Sequence, residues 1–318
     1  MSNFFALIQN ENMKIYRKNA TKVMLIILLG LILAAGLIIK LNQPAPKDNT
    51  QWKQSLVQQN KVYQQQMTQF HGNKQTINYF KKTIIMNQYR IDHNLKPAQE
   101  ATLWKFVEDT ASNMVTVISI FTIIVVSSSI ASEYDEGTIK LLLIRPIYRT
   151  EVLLSKYIST LLFSAFCLIV LFVISWLIGG VMFGFGGVNE AHLNYVNGKV
   201  YETSWTLYIW KSYLLNCVSL FVMVTFAGTV SAVFRNSALA IGISILLMMG
   251  SSLIVKLLSN FDWVKYVLFA NTDLTQYMNG NPVRHDMTLG FSFAVLCIYY
   301  LIFVILGWFF YTKRDINA

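Results

Sequence analysis

"SEYDEGTIKLLLIRPIYRTEVLLSK", residues 132–156, sits between two long apolar runs, yet it holds eight Asp, Glu, Lys and Arg side chains, a Gly and a Pro. The runs on either side, about 113–131 and 153–187, are each long enough to cross the roughly 30 Å hydrocarbon core of a bilayer as a helix. Four more runs of that kind lie at about 23–41, 208–233, 237–258 and 288–311. The central part of none of them has a charged side chain. Lys40, Lys156, Lys211 and Lys256 lie towards ends, where a long side chain is expected to reach the headgroups. Only 13% of the 318 residues are charged, about half of what a soluble protein carries. The fold class is therefore an all-α polytopic membrane protein with six spans. The first apolar run follows 22 other residues and is long for a signal peptide, so it is expected to be retained as a span.

Orientation follows from Lys and Arg in the short connections. Lys14, Arg17, Lys18, Lys22, Lys140, Arg145, Arg149, Lys156, Arg235, Lys313 and Arg314 fall on one side; Lys199, Lys265 and Arg284 fall on the other. Both termini and the quoted loop are thus expected in the cytoplasm, with the protein in the plasma membrane. The same asymmetry accounts for the net charge of +10 without a nucleic-acid partner. Cys167, Cys217 and Cys297 lie within spans, which argues against a disulfide framework. His71, His93, His192 and His285 lack metal-ligand spacing and read as surface residues.

Three units follow. Residues 1–41 hold the first span and, before it, Phe4, Ile8, Glu11 and Ile15 at helical spacing, the pattern of an amphipathic helix lying at the interface. Residues 42–112 are polar, with twelve Gln between Gln43 and Gln99. Their apolar residues still recur in helical steps: Trp52, Leu56, Tyr63, Met67 and Phe70, then Ile77, Phe80, Ile84, Ile91 and Leu95. His71-Gly72-Asn73 separates the two sets, and Pro97 can open a further helix. A helical hairpin outside the membrane is predicted, whose excess of Lys and Arg suits anionic lipid or wall polymer. Residues 113–318 hold spans two to six. Within them, the five glycines of 179–188 weaken the third span's end, and 260–280 reads as an interfacial or re-entrant piece.

The chain has no phosphate loop: Gly198-Lys199 is followed by Val200. Nor does it show a Ser/His/Asp set or a zinc-protease pair. It is not expected to be an enzyme, and with span centres empty of ionisable groups, ion-coupled carriage has little to work with. Any work it performs would draw energy from a partner.

The quoted loop suits such a partner. Glu133, Asp135 and Glu136 are predicted to open a short helix, where the positive end of its dipole favours acids. Ile139, Leu142 and Leu143 form an apolar stripe, with Lys140 off it. Pro146 forces Arg145 out of helical geometry, and Thr150 with Glu151 can cap the next helix.

Glu133, Gly137-Thr138-Ile139-Lys140, Leu142, Pro146, Arg149 and Lys156 together resemble the cytoplasmic signature of type-2 ATP-binding-cassette permeases. "LIQNENMKIYRKN", 7–19, is similar to that family's N-terminal elbow helix, and "FRNSALAIG", 234–242, to the loop before its fifth span. The resemblance covers nearly the whole chain except 42–112. It implies that Glu133 through Leu143 form a coupling helix that docks in a cleft of a separate ATPase subunit, with Arg145, Pro146, Arg149 and Lys156 orienting the loop at the headgroups. It implies ATP and Mg on that subunit, no cofactor on this chain, a second permease subunit beside it, and export of a hydrophobic or amphipathic cargo. A membrane-anchored sensor or scaffold, with a ligand-binding hairpin, is the competing class.

Overall fold

The computed structural model describes residues 4–43, 51–69, 74–97, 102–135, 148–186, 191–196, 198–259 and 261–313. Among the described residues, six helices are long and apolar enough to cross a membrane. They are α2 (Asn19–Leu41), α5 (Leu103–Asp135), α6 (Arg149–Phe183), α7 (Trp205–Phe234), α8 (Ser237–Leu258) and α10 (Leu289–Lys313). A separate helix α1 (Phe4–Arg17) precedes them, and α3 (Trp52–Gln69) and α4 (Lys74–Asp92) form a pair between the first two spans. The protein is a predominantly helical, multi-pass membrane protein.

α5 and α7 form the middle of the bundle. Each has a far larger buried share than α2, α8 or α10, and the two helices pack on each other. α6 and α2 lie against α5 on one flank, with α8 and α10 against α7 on the other. Ile118, Phe121 and Val125 of α5 meet Phe163, Cys167 and Leu171 of α6, with Leu28 and Ile32 of α2 closing that core. Hydrophobicity alone gives no reason for helices to associate in lipid, so close packing and hydrogen bonds across helices must hold them. Gly307 of α10 lies so near Thr229 of α7 that an added Cβ would stand 3.2 Å from its Oγ1. The Thr229 hydroxyl also donates to the Phe303 carbonyl at 2.8 Å, and Ser231 donates to the Ser127 carbonyl across α5 and α7 at 3.0 Å.

The predicted spans all form, but several boundaries move. α5 begins at Leu103, inside the segment assigned to the hairpin, and is capped by Thr102, whose hydroxyl accepts from Lys105 N at 3.3 Å. Pro97 is not helical. At its far end α5 runs without interruption to Asp135, because no Gly or Pro occurs between Leu103 and Gly137. Glu133 and Asp135 therefore lie in the last turn of a long helix instead of opening a short one, and the N-terminal dipole argument does not apply to them. α6 is preceded by Tyr148 as its N-cap residue with no side-chain cap, so Thr150 belongs to its first turn. α6 ends at Phe183, with Gly184 at φ 86 beyond it.

The 188–207 connection also departs from an all-helical reading. β1 (Ala191–Val196) and β2 (Lys199–Ser204) pair antiparallel, with Val196 opposite Lys199. Gly198, just before β2, has φ 84, a left-handed conformation of the kind that tight hairpin turns draw from glycine.

The segment after α8 folds back among α7, α8 and α10 as two 3-10 turns, Asp262–Tyr266 and Leu274–Tyr277, around a four-residue helix α9 (Leu268–Asn271). Val264, Leu268, Ala270 and Leu274 are buried. Irregular backbone at such a place needs its polar groups satisfied within the protein. Asn271 supplies part of this, donating to the Lys265 and Val267 carbonyls at 2.8 Å each and accepting from Ser292 at 2.5 Å.

Candidate functional site

Two ends of the bundle carry its charged side chains. One, the terminal end, gathers α1, the last turn of α5, the first turns of α6 and the last turn of α10. The other, the hairpin end, carries α3, α4, the β ribbon and the folded-back segment.

At the terminal end, α1 packs on α6. Its helical spacing puts Ile8, Glu11 and Ile15 on one side. Ile15 is buried, Tyr16 stands edge-on to Phe163 and Phe166 at 6.0 and 5.5 Å, and Ser159 donates to the Ile8 carbonyl at 3.1 Å. The chain then turns at Lys18, whose extended backbone (φ −65, ψ 130) separates α1 from α2.

Lys156 does not reach for headgroups as expected. It is 3% exposed, and its ammonium lies 3.2 Å from Glu11 Oε2 and donates to the Ser129 carbonyl at 2.9 Å. Glu11 also pairs with Lys14 at 2.5 Å, and Lys14 itself is exposed. Position explains the correction: Lys156 lies two turns into α6, on the face that α1 and α5 cover. Burial pushes the Glu11 carboxyl up, but the charges of Lys156 and Lys14 with their hydrogen bonds outweigh it, and the group sits below the usual carboxylate range. Two positions 145 residues apart in the sequence are thereby fastened with α5 at one buried ion pair.

Arg149 donates to the Thr312 carbonyl at 3.3 Å, at the C-terminal end of α10 where a cation is favoured. Trp308 Nε1 donates to Thr150 Oγ1 at 3.3 Å. The start of α6 is thus tied to α1, α5 and α10 together. Glu136, Gly137, Thr138, Ile139, Lys140, Leu142, Leu143, Arg145 and Pro146 lie outside the described residues, as do the side chains of Glu133 and Asp135.

At the hairpin end, Leu56 and Phe80 are buried between α3 and α4, Tyr63 stacks on Phe80 at 5.2 Å, and Asn87 donates to Asn60 at 2.9 Å. Lys82 of α4 donates to the Asn279 carbonyl at 2.6 Å. Tyr89 donates to Glu202 on β2 at 3.1 Å. The Tyr208 hydroxyl lies 3.0 Å from both Glu108 Oε1 and Asn279 Oδ1, and Lys105 bridges Glu108 and Asp109 at 3.1 and 2.9 Å. A polar chain thus joins α4 to the starts of α5 and α7. His192, expected at the surface, is half-buried instead, with its ring 4.3 Å from Trp205 and 4.0 Å from Tyr208; burial lowers its pKa from the ordinary histidine value. Gly280, at φ 65, approaches the Tyr195 carbonyl more closely than any Cβ would allow, which seats the folded-back segment against β1.

The sequence over 76–317 matches the family model described as "Protein of unknown function (DUF2705)". The chain is similar to the uncharacterized protein YhcI of Bacillus subtilis (strain 168), 41% identical over 98% of both chains. It is also similar to the uncharacterized membrane protein YdbK of the same organism, 34% identical over 64% of this chain and 79% of that one. The chain belongs to the DUF2705 family.

Proposed function

We propose that this chain is the transmembrane permease subunit of an ATP-driven exporter, working with a separate ATP-binding-cassette ATPase and a second permease subunit in the plasma membrane. The observation that carries the reading is the Glu11–Lys156 pair. It fastens the N-terminal helix and the end of α5 to the first turns of α6, at the base of the loop whose sequence resembles a coupling segment. A force applied to that loop would meet a tied unit of three helices and not one loose helix end. The loop's apolar stripe, Ile139, Leu142 and Leu143, would bury against the ATPase, with Glu136 and Lys140 on its polar side. Arg149 and Lys156 would fix the base of the loop through the partners described above. ATP and Mg would be held by the ATPase, and this chain would do no chemistry of its own. Both termini would be cytoplasmic. An apolar, aromatic and small-polar interior suits a hydrophobic or amphipathic cargo such as a peptide, an antibiotic or a lipid.

The test is retention of an ATPase on the purified permease. Leu142→Asp places a carboxylate in the apolar contact, where desolvation opposes it. The expected result is loss of the ATPase at unchanged membrane abundance, whereas normal retention in a Leu142→Asp, Glu136→Lys double variant would contradict the docking role. A permease that copurifies with no ATPase at all would favour the sensor class instead.

A further inference from the structure

The β ribbon touches the rest of the hairpin end on several sides. α4 packs on both of its strands, and so does α7. The Tyr195 carbonyl of β1 lies against Gly280 of the folded-back segment, and Tyr89 of α4 donates to Glu202 of β2. β2 runs straight into α7: Ser204 ends the strand and caps the helix, accepting from Leu207 N at 3.4 Å. Whatever seats the ribbon on the spans therefore also steadies the helical hairpin. His192 of β1 stands at that seat. Its ring lies against two rings of the first turn of α7, with centroids 4.3 Å from Trp205 and 4.0 Å from Tyr208. Both of those side chains are buried, in one cluster with Leu103, Trp104, Val107 and Ile209. The Tyr208 hydroxyl continues to Glu108 and Asn279. The imidazole thus rests where α5, α7 and the folded-back segment meet.

An uncharged ring suits this place. Among the described residues, the charged groups that act on it are Glu108 and Lys105 of α5 and Arg90 of α4. Glu108 attracts a proton to the ring, but its two oxygens are engaged by Tyr208 and Lys105, and Asp109 pairs with Lys105. Lys105 and Arg90 oppose the proton, while Asn194, on the same face of β1, favours it. Glu202 of β2 stands opposite Leu193 and not opposite His192, so it belongs to the other face of the ribbon. Glu190, two residues before His192 in the sequence, lies outside the described residues. A half-buried ring between two aromatic rings must shed water, and shedding water disfavours the imidazolium. That burial outweighs the attraction of Glu108 and holds the group below the ordinary 6.5.

We propose that His192 is a pH-sensitive seat: when its ring takes up a proton, β1 lifts off Trp205 and Tyr208, and the ribbon and the helical hairpin loosen together. This does not rest on the ATPase reading. The sign follows from the open state, where the ring is back in water and titrates near 6.5. The seat is fully stable above that pH and weakens as pH falls from there towards the lowered value. One proton is taken up on opening, so within that window the open fraction grows by at most about tenfold per pH unit.

The test is amide hydrogen exchange of the full-length protein in phosphatidylcholine nanodiscs between pH 8 and 5, corrected for the intrinsic pH dependence of exchange. Protection of residues 191–204 should be constant above about pH 7 and fall below 6.5, by up to about tenfold per pH unit, while the middle of α6 keeps its protection. His192→Phe keeps a ring that cannot take a proton, so its ribbon should stay protected at every pH in that range. His192→Gln loses both ring and titration and should leave the ribbon looser throughout, again without a pH dependence. Glu190→Gln should preserve the wild-type fall. The proposal is overturned by an equal fall in His192→Phe or His192→Gln, by no fall at all, or by a fall shared equally with α6. Protection that rises on acidification would overturn it too, since Glu108 and the rings would then hold the charged form. Loss of the fall in Glu190→Gln would do the same, by assigning the titration to that carboxylate.

Discussion

The two ends of the bundle use the same kinds of bond in opposite surroundings. At the terminal end the Glu11–Lys156 ion pair is shut away from water, with side chains 9% and 3% exposed. At the hairpin end the Lys265–Asp286–Arg284–Asp262 cluster is spread over an open surface, with Asp262 92% exposed. Coulomb attraction is screened in the second and hardly in the first. A buried pair is also the more dangerous to break, because the survivor is left charged in an apolar place. The terminal end is therefore rigid by construction, while the hairpin end is held by many contacts, none of which is decisive alone.

The largest effect should come from splitting the buried pair. Lys156→Met leaves Glu11 with only the exposed Lys14, and Glu11→Gln leaves Lys156 with a neutral partner. Each should lower stability by about 3–5 kcal/mol, read as a drop in the unfolding midpoint of the purified protein in detergent. The Glu11→Gln, Lys156→Met double variant should recover most of the loss, and a double variant as unstable as the sum of the singles would break the contrast. Because the Glu11 carboxyl is held below its ordinary 4.5, the pair's contribution is fully present above that pH. It is lost as pH falls through the lowered value, so an acid titration of the midpoint should flatten in Glu11→Gln.

A smaller effect is expected for Tyr208→Phe at the hairpin end. The hydroxyl gives Glu108 a charge-assisted hydrogen bond, and its loss should cost about 1.5 kcal/mol. The smallest should be Asp286→Asn. Lys265 and Arg284 hold the Asp286 carboxyl down to about 2, yet the group is open to solvent, so the midpoint should scarcely move near neutral pH. Any contribution would disappear only as pH falls towards 2. A larger shift for Asp286→Asn than for Tyr208→Phe would show that the surface cluster is less exposed to solvent than its geometry implies.

What could be read from the sequence divides along the same line. The six spans were legible because length and apolarity are local properties, and the helical hairpin because Leu56, Tyr63 and Phe80 keep helical steps inside a Gln-rich stretch. The ion pair was not legible as a pair, since nothing local links Glu11 to Lys156. One signal was present: Glu11 falls on the apolar side of α1 between Ile8 and Ile15, and a carboxylate there needs a partner. Lys156 was misjudged because distance from a span's end says nothing about which helix covers it. The ribbon also left a trace, since "HLNYVNGKVYETS" alternates around Asn197-Gly198. The length of α5 past the span was the plainest miss, because Ser127 to Asp135 has no residue that stops a helix.

The proposed orientation, with the terminal end in the cytoplasm and the helical hairpin outside, is read directly by cysteine labelling. Asn60 is a poor probe because it is buried against Asn87. Gln58 on α3 and Ala238 in the first turn of α8 are both exposed. In a background with Cys167, Cys217 and Cys297 replaced, an impermeant thiol reagent applied to intact cells should label Gln58→Cys at once and Ala238→Cys only after the membrane is opened. Labelling of Ala238→Cys in intact cells, with Gln58→Cys protected, would contradict the account.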